Sequence, residues 1–187
     1  AVMMHPTYGD AAQRVVGMLL LHEDDPLLSA YIGATLAELE QYGFAEYAFV
    51  IAAGYQHPFA EALAYAGLMR DFQGRNGEAY IRRAIELAPA NADVRYVQGL
   101  HLRTQGNFSG SILALQAALA TEPENPIYYA AIAQTHQTMG DMTTARTWYR
   151  QAVDASGNDP QLQAMLDALY AEEIAMLPEQ WLQGLAP

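Results

Sequence analysis

Apolar positions along this chain recur every three to four residues and never settle into sustained alternation, so the pattern is that of helices with one buried face rather than of strands. Leu162, Leu166 and Leu169 form one such stripe, with Asp167, Glu172 and Glu173 placed to face water. The pattern predicts helices over 10–22, 27–42, 44–55, 59–72, 78–88, 92–105, 108–121, 126–139, 142–155 and 160–176, with a short one after Pro178. The fold class it predicts is all-α.

The helix starts repeat. Asp25-Pro26, His57-Pro58, Asn125-Pro126 and Asp159-Pro160 each place Pro at or near a first helical position, where its missing N–H is not needed. Asn or Asp before it can accept from the free N–H groups of the first turn. The prolines are separated by 32, 68 and 34 residues, so one start carries no Pro; it falls at Ala92, just after Asn91. Interior positions keep the same interval. Gly106-Asn107 and Gly140-Asp141 are 34 apart, as are Ala118 and Ala152, Leu115 and Tyr149, and Pro89 and Pro123. Each unit reads as helix, short turn, helix, and a fixed period of this length is the mark of a repeat array.

The residues Gly99, Leu102, Gly106, Phe108, Ser111, Leu115, Ala118 and Pro123 resemble a tetratricopeptide repeat, and so do Tyr129, Ala133, His136, Gly140, Ala145, Tyr149 and Ala152 in the next unit. The resemblance implies a right-handed α-solenoid of helix-turn-helix repeats spanning 1–187 as one domain. Repeats fall at about 26–57, 58–91, 92–125 and 126–159, between an N-terminal capping helix in 1–25 and a C-terminal capping helix in 160–187. It is good over 92–159 and drifts earlier. Gly74 lies two residues late relative to Gly106, which implies a longer first helix and a shorter second one; Gly43, read as the turn of the first unit, is later still. Ala145 has Ser111 and Gly77 as its equivalents, and Gly157 stands where Pro123 would predict Pro.

In this family the first helix of each hairpin lines the concave side, which suits an extended peptide or a partner helix. The resemblance therefore places a partner-binding groove over Asp93, Tyr96, Leu100, Arg103 and Thr104, then Ile127, Ala130, Gln134, Gln137 and Thr138. Some members clamp a C-terminal carboxylate of chaperones with Lys, Asn and Arg. Here the matching places hold Tyr96 and Leu100, then Ala130 and Gln134, so that use is not expected. Tyr129 takes the family's aromatic packing place, which leaves Tyr128 to cover a neighbouring hairpin or an interface.

Composition narrows the chemistry. There is no Lys and no Cys, which removes a Walker A lysine, a lysine Schiff base, a thiolate nucleophile, a disulfide and a cysteine zinc site. The net charge of −12 opposes nucleic-acid binding. Residues 151–187 hold six acids and no Arg, read as charge that keeps an end cover soluble. No run is long enough for a membrane span. Absence of Cys does not fix the compartment, and the cytoplasm is favoured. The five His residues form no metal motif, although His101 and His136, 35 apart, occupy nearly the same place in adjacent hairpins and could approach each other. His22-Glu23-Asp24-Asp25 reads as solvated charge at a helix end. Gly74-Arg75-Asn76-Gly77 is a turn without a preceding strand, and no Ser sits in a nucleophile motif. No catalytic, cofactor-binding or metal residue is predicted. The expected function is that of a protein–protein interaction scaffold or adaptor. The alternatives are a regulatory or substrate-recruiting domain of a larger enzyme, suggested by the start at Ala1, and a self-associating homo-oligomer packing through Trp181 and Leu182.

Overall fold

The computed structural model describes residues 25–54 and 59–175, together with Arg14 and Gly17. The expected helix over 10–22, the Pro58 start, the helix after Pro178, and Trp181 and Leu182 lie outside the described residues. Within them every element is a helix: α1 (Pro26–Glu38), α2 (Tyr42–Ala53), α3 (Ala60–Phe72), α4 (Glu78–Leu87), α5 (Ala92–Thr104), α6 (Phe108–Thr121), α7 (Pro126–Thr138), α8 (Met142–Ala155) and α9 (Pro160–Ala175). The molecule is a right-handed α-solenoid of hairpins, α1–α2 through α7–α8, with α9 following.

Asx side chains open the helices as the sequence reading expected. Asp25 accepts from Leu28 N, Asn91 from Val94 N, Asn107 from Gly110 N, Asn125 from Ile127 N and Asp141 from Thr144 N. Each such cap contributes about 1 kcal/mol. Three of the hairpin turns place Gly74, Gly106 and Gly140 at φ +71°, +73° and +80°, a left-handed conformation that glycine adopts at little cost.

The first hairpin differs from its expectation. Its helices end and begin at Glu38 and Tyr42, not at 42 and 44, and Gly43 lies inside α2. The left-handed residue of its turn is Glu40, at φ +57°. Gly43 misled because glycine is the usual occupant of that conformation; here a residue with a side chain takes it. The second hairpin also corrects the reading. Helices α3 and α5 are both 13 residues long, so α3 is not extended. What changes is the turn, Gln73 to Gly77, and the shorter α4 of 10 residues. The short interval of the array is thus between Ala60 and Ala92.

Small residues set the separation of paired helices. A Cβ on Gly67 would lie 2.9 Å from Gly77 O, and one on Gly77 would lie 2.0 Å from Gly67 O. One on Gly99 would meet the Leu115 side chain at 2.6 Å. Ser111 and Ala145 are wholly buried and Gly77 is buried, so the three equivalents share a crowded place at the start of the second helix. One apolar cluster runs from Leu36 through Phe49, Leu68, Ile81, Val97 and Leu115 to Ile132. A second joins Ala133, Tyr149 and Val153 to Leu166 and Leu169 of α9. Within the array α3 lies against α5 and α5 against α7, so these three first helices form one layer.

A polar knot ties the first two hairpins. Glu46 of α2 is 9% exposed. It accepts from Arg70 Nη1 at 3.1 Å, Arg75 Nη1 at 2.8 Å and Gln73 Nε2 at 3.0 Å. The Arg70 guanidinium also sits 5.5 Å over the Tyr80 ring.

Candidate functional site

The layer of first helices contains a trough of about 290 Å³ between α5, α7 and α9. Tyr96 forms one wall, Pro126, Ile127, Ala130, Ala131 and Gln134 the floor, and Ser156, Asp159, Gln161, Leu162 and Met165 the other wall. Its apolar character follows from helix geometry. Positions 127, 130, 131 and 134 recur at the three- and four-residue spacing that puts side chains on one helix face. Ile127 is 55% exposed and Met165 43%, both open to solvent in the trough.

Of the groove residues expected from sequence, Tyr96, Ile127, Ala130 and Gln134 come together here. Leu100, 9% exposed, is a packing residue of the core. Arg103 is a brace between hairpins, donating from Nη1 to Gln134 Oε1 at 3.0 Å and to Ala131 O at 3.5 Å. Burial draws the Arg103 guanidinium pKa down, and the nearby Tyr96 and Tyr149 oppose this. Thr104 and Thr138 turn back onto their own helices, donating to His101 O and Gln134 O. Gln137 accepts from the Tyr149 hydroxyl at 3.3 Å. None of these last three lines the trough.

The sequence pattern marks α9 as an end cover and so does not reveal that it supplies a wall of the trough. The signal was present: Pro160 follows Pro126 by the same interval that separates other starts, which makes α9 the first helix of a further unit. Leu162 thus serves two surfaces, partly buried against the second core cluster and lining the trough.

An acidic pole adjoins the trough. Asp93 is exposed at the start of α5, one turn before Tyr96. The Tyr128 hydroxyl, with one proton, faces two carboxylates: Asp93 Oδ1 at 3.3 Å and Glu122 Oε2 at 3.2 Å. Glu61 of α3 stands close enough to interact with Asp93, and accepts from Asn91 Nδ2. Partial burial raises the Asp93 carboxyl pKa, and Glu122 and Glu61 push it the same way while the Tyr128 bond opposes them. The phenols share this field. Burial raises Tyr65, reinforced by Asp93, and burial raises Tyr128, reinforced by Asp93 and Glu122.

The tyrosine expectation is met, whereas the two histidines stay apart. Tyr128, 1% exposed, is the deeply buried member of its pair, tilted against Tyr96 with ring centroids 5.5 Å apart and covering the neighbouring hairpin. Tyr129 lies partly buried beside Trp148 and donates to Pro123 O. His101 does not seek His136. Its Nδ1 is 2.7 Å from Asp71 Oδ2, and Asp71 also accepts from Gly77 N, which joins α3 to α5 through the turn. His136 Nδ1 instead faces Asp141 at 3.4 Å. Among the described residues no three His, Cys, Asp or Glu side chains converge as a metal site. No helix among them is long and apolar enough to cross a membrane.

The comparisons with known proteins agree on architecture. The tetratricopeptide repeat family model matches residues 73–126 and 96–160. No curated protein matches the sequence. Among solved structures, TTC0263, a thermophilic tetratricopeptide repeat protein of Thermus thermophilus, superposes with a TM-score of 0.70 at 20% identity, covering 88% of this chain and 91% of that one. A chain of the APC/C hetero-tetramer Cut9–Hcn1 gives 0.68 at 13% identity, covering 88% of this chain and 34% of that one. YrrB, described as having an unusual peptide-binding site, gives 0.54 at 19% identity and covers 89% of this chain and 86% of that one. At these identities the likeness shows the fold alone, a fold that serves generally as a scaffold for protein–protein interaction and is typically without catalytic activity. With the 34-residue period, the left-handed turn residues and the close helix crossings pointing the same way, residues 73–160 are tetratricopeptide repeats and the chain has the fold of that family.

Proposed function

We propose that this protein is an interaction scaffold that holds a peptide or helix of a partner protein over α5, α7 and α9. The observation that carries the reading is the trough itself. Ile127 and Met165 expose apolar side chains inside a concavity, where a segment of another chain can remove them from water. Around them the polar groups with fixed partners, Arg103 with Gln134 and Asp159 with its own helix start, give the site a pre-formed shape. Pre-formed walls lower the ordering cost of binding. The resemblance to YrrB supports the reading by analogy of fold.

The test is affinity capture from the native cell extract with wild type and an Ile127→Ser, Met165→Ser variant. Both positions are exposed, so the fold should persist and circular dichroism should be unchanged. A protein held by wild type and lost by the variant supports the reading. Equal retention by both moves the binding surface elsewhere.

A further inference from the structure

We propose that the occupant of this groove is a basic, amphipathic segment of another protein: an apolar side chain enters the trough while a neighbouring Arg or Lys lies on Asp93, beside Glu61 and Glu122. This rests on the groove reading above and adds the chemistry of the partner.

Charge complementarity makes the argument. The charged residue among the trough's lining is an acid, Asp159, and no arginine lines it. Asp93 and Tyr96, three residues apart on α5, are neighbours on its surface, so the acidic pole and the trough form one continuous face. Arg103, the basic groove residue of the sequence reading, does not line the trough; it is tied to Gln134 and Ala131 of the floor. Two carboxylates share the single Tyr128 proton, and a third, Glu61, stands within interaction range. Such an arrangement carries an unmatched negative field, consistent with the raised Asp93 pKa, and a cation placed there relieves it. An acidic or neutral segment would add to the repulsion or leave it unrelieved. The net charge of −12 gives the same preference at long range. The trough fixes where the apolar side chain sits, and the carboxylates fix which side its charged neighbour must face.

The probe is a random dodecapeptide library displayed on phage and selected on the full chain. Winners are resynthesised and titrated by fluorescence anisotropy against wild type, the Ile127→Ser, Met165→Ser variant, and an Asp93→Asn, Glu122→Gln variant. The amide substitutions keep acceptors for the Tyr128 hydroxyl. The expected winners carry Arg or Lys next to an apolar residue. They lose most of their affinity on the first variant and weaken about tenfold on the second, with a flatter dependence on salt. Winners that need Ile127 and Met165 but show no basic enrichment and ignore the amide variant overturn this inference while leaving the groove reading intact. Winners indifferent to Ile127 and Met165 overturn both, and so does a selection that yields no binder.

Discussion

At Glu40 the backbone adopts φ +57° with a side chain in place, where the equivalent turns use glycine. The left-handed region costs an ordinary residue about 1–2 kcal/mol, part of which glycine returns through its freer unfolded chain. Glu40→Gly should therefore stabilise by about 0.5–1 kcal/mol. Three residues on, Gly43 is in α2 and a Cβ there would meet only Gln73 Oε1 at 3.6 Å. Gly43→Ala should add a similar amount through helix propensity. Urea denaturation of both variants checks the turn's position, because a turn at Gly43 predicts losses instead. Gly77 behaves oppositely. Its Cβ would meet a backbone oxygen that cannot swing aside, so Gly77→Ala should destabilise by about 2–3 kcal/mol in the same assay. Spacing alone showed that Gly77, Ser111 and Ala145 are equivalent. It could not show how close the carbonyl of Gly67 comes, because that distance is set in three dimensions.

Between elements, the Glu46 knot holds α2 against the end of α3 and its turn. Glu46→Gln would leave the guanidinium groups of Arg70 and Arg75 without their anion. The side chain of Arg75 is 47% exposed and can turn to water, while Arg70 at 26% has less freedom. Solvent access discounts the full cost of a buried broken pair, so the expected loss is about 2 kcal/mol. In a linear array that loss belongs to one interface. Hydrogen exchange should accordingly quicken in α1 and α2 while α5 to α8 stay protected; uniform quickening would show that the array unfolds as one unit. The sequence made the later helices legible because Asx caps and glycine turns recur there at a constant interval. It left the first hairpin's turn obscure because Glu40 breaks that chemistry, and it left Glu46 unmarked because two of its three partners, Gln73 and Arg75, come from a turn whose conformation no period reveals. The groove was half legible for a related reason. Helical spacing found the faces of α5 and α7, but only the stack shows that Arg103 braces Gln134 and that Leu162 and Met165 complete the wall.

Across the whole molecule, 21 acids against 9 arginines make charge repulsion a property of the fold rather than of one contact. Asp93 is where it concentrates, with a carboxyl pKa raised by burial and then by Glu122 and Glu61. The sign of the linkage follows. Below the ordinary carboxylate pKa, Asp93 is protonated in both folded and unfolded chains and costs nothing. As pH rises from that value to the higher folded pKa, the unfolded chain releases its proton first and the folded state loses stability; above it the penalty is constant. Asp93→Asn should therefore raise the melting temperature at neutral pH, by an amount corresponding to less than about 1 kcal/mol for so exposed a group. The gain should shrink as the pH falls through the interval and vanish below it. Added salt, which screens exposed charges, should raise the wild-type melting temperature at neutral pH and narrow the gap to the variant. Thermal melts of the two proteins over a pH series at low and high salt provide the check. A gap that persists in acid would mean that Asn gains through packing or hydrogen bonding. A gap that closes in acid and narrows in salt identifies the pole beside the trough as a site of stored repulsion, the property a basic partner would use.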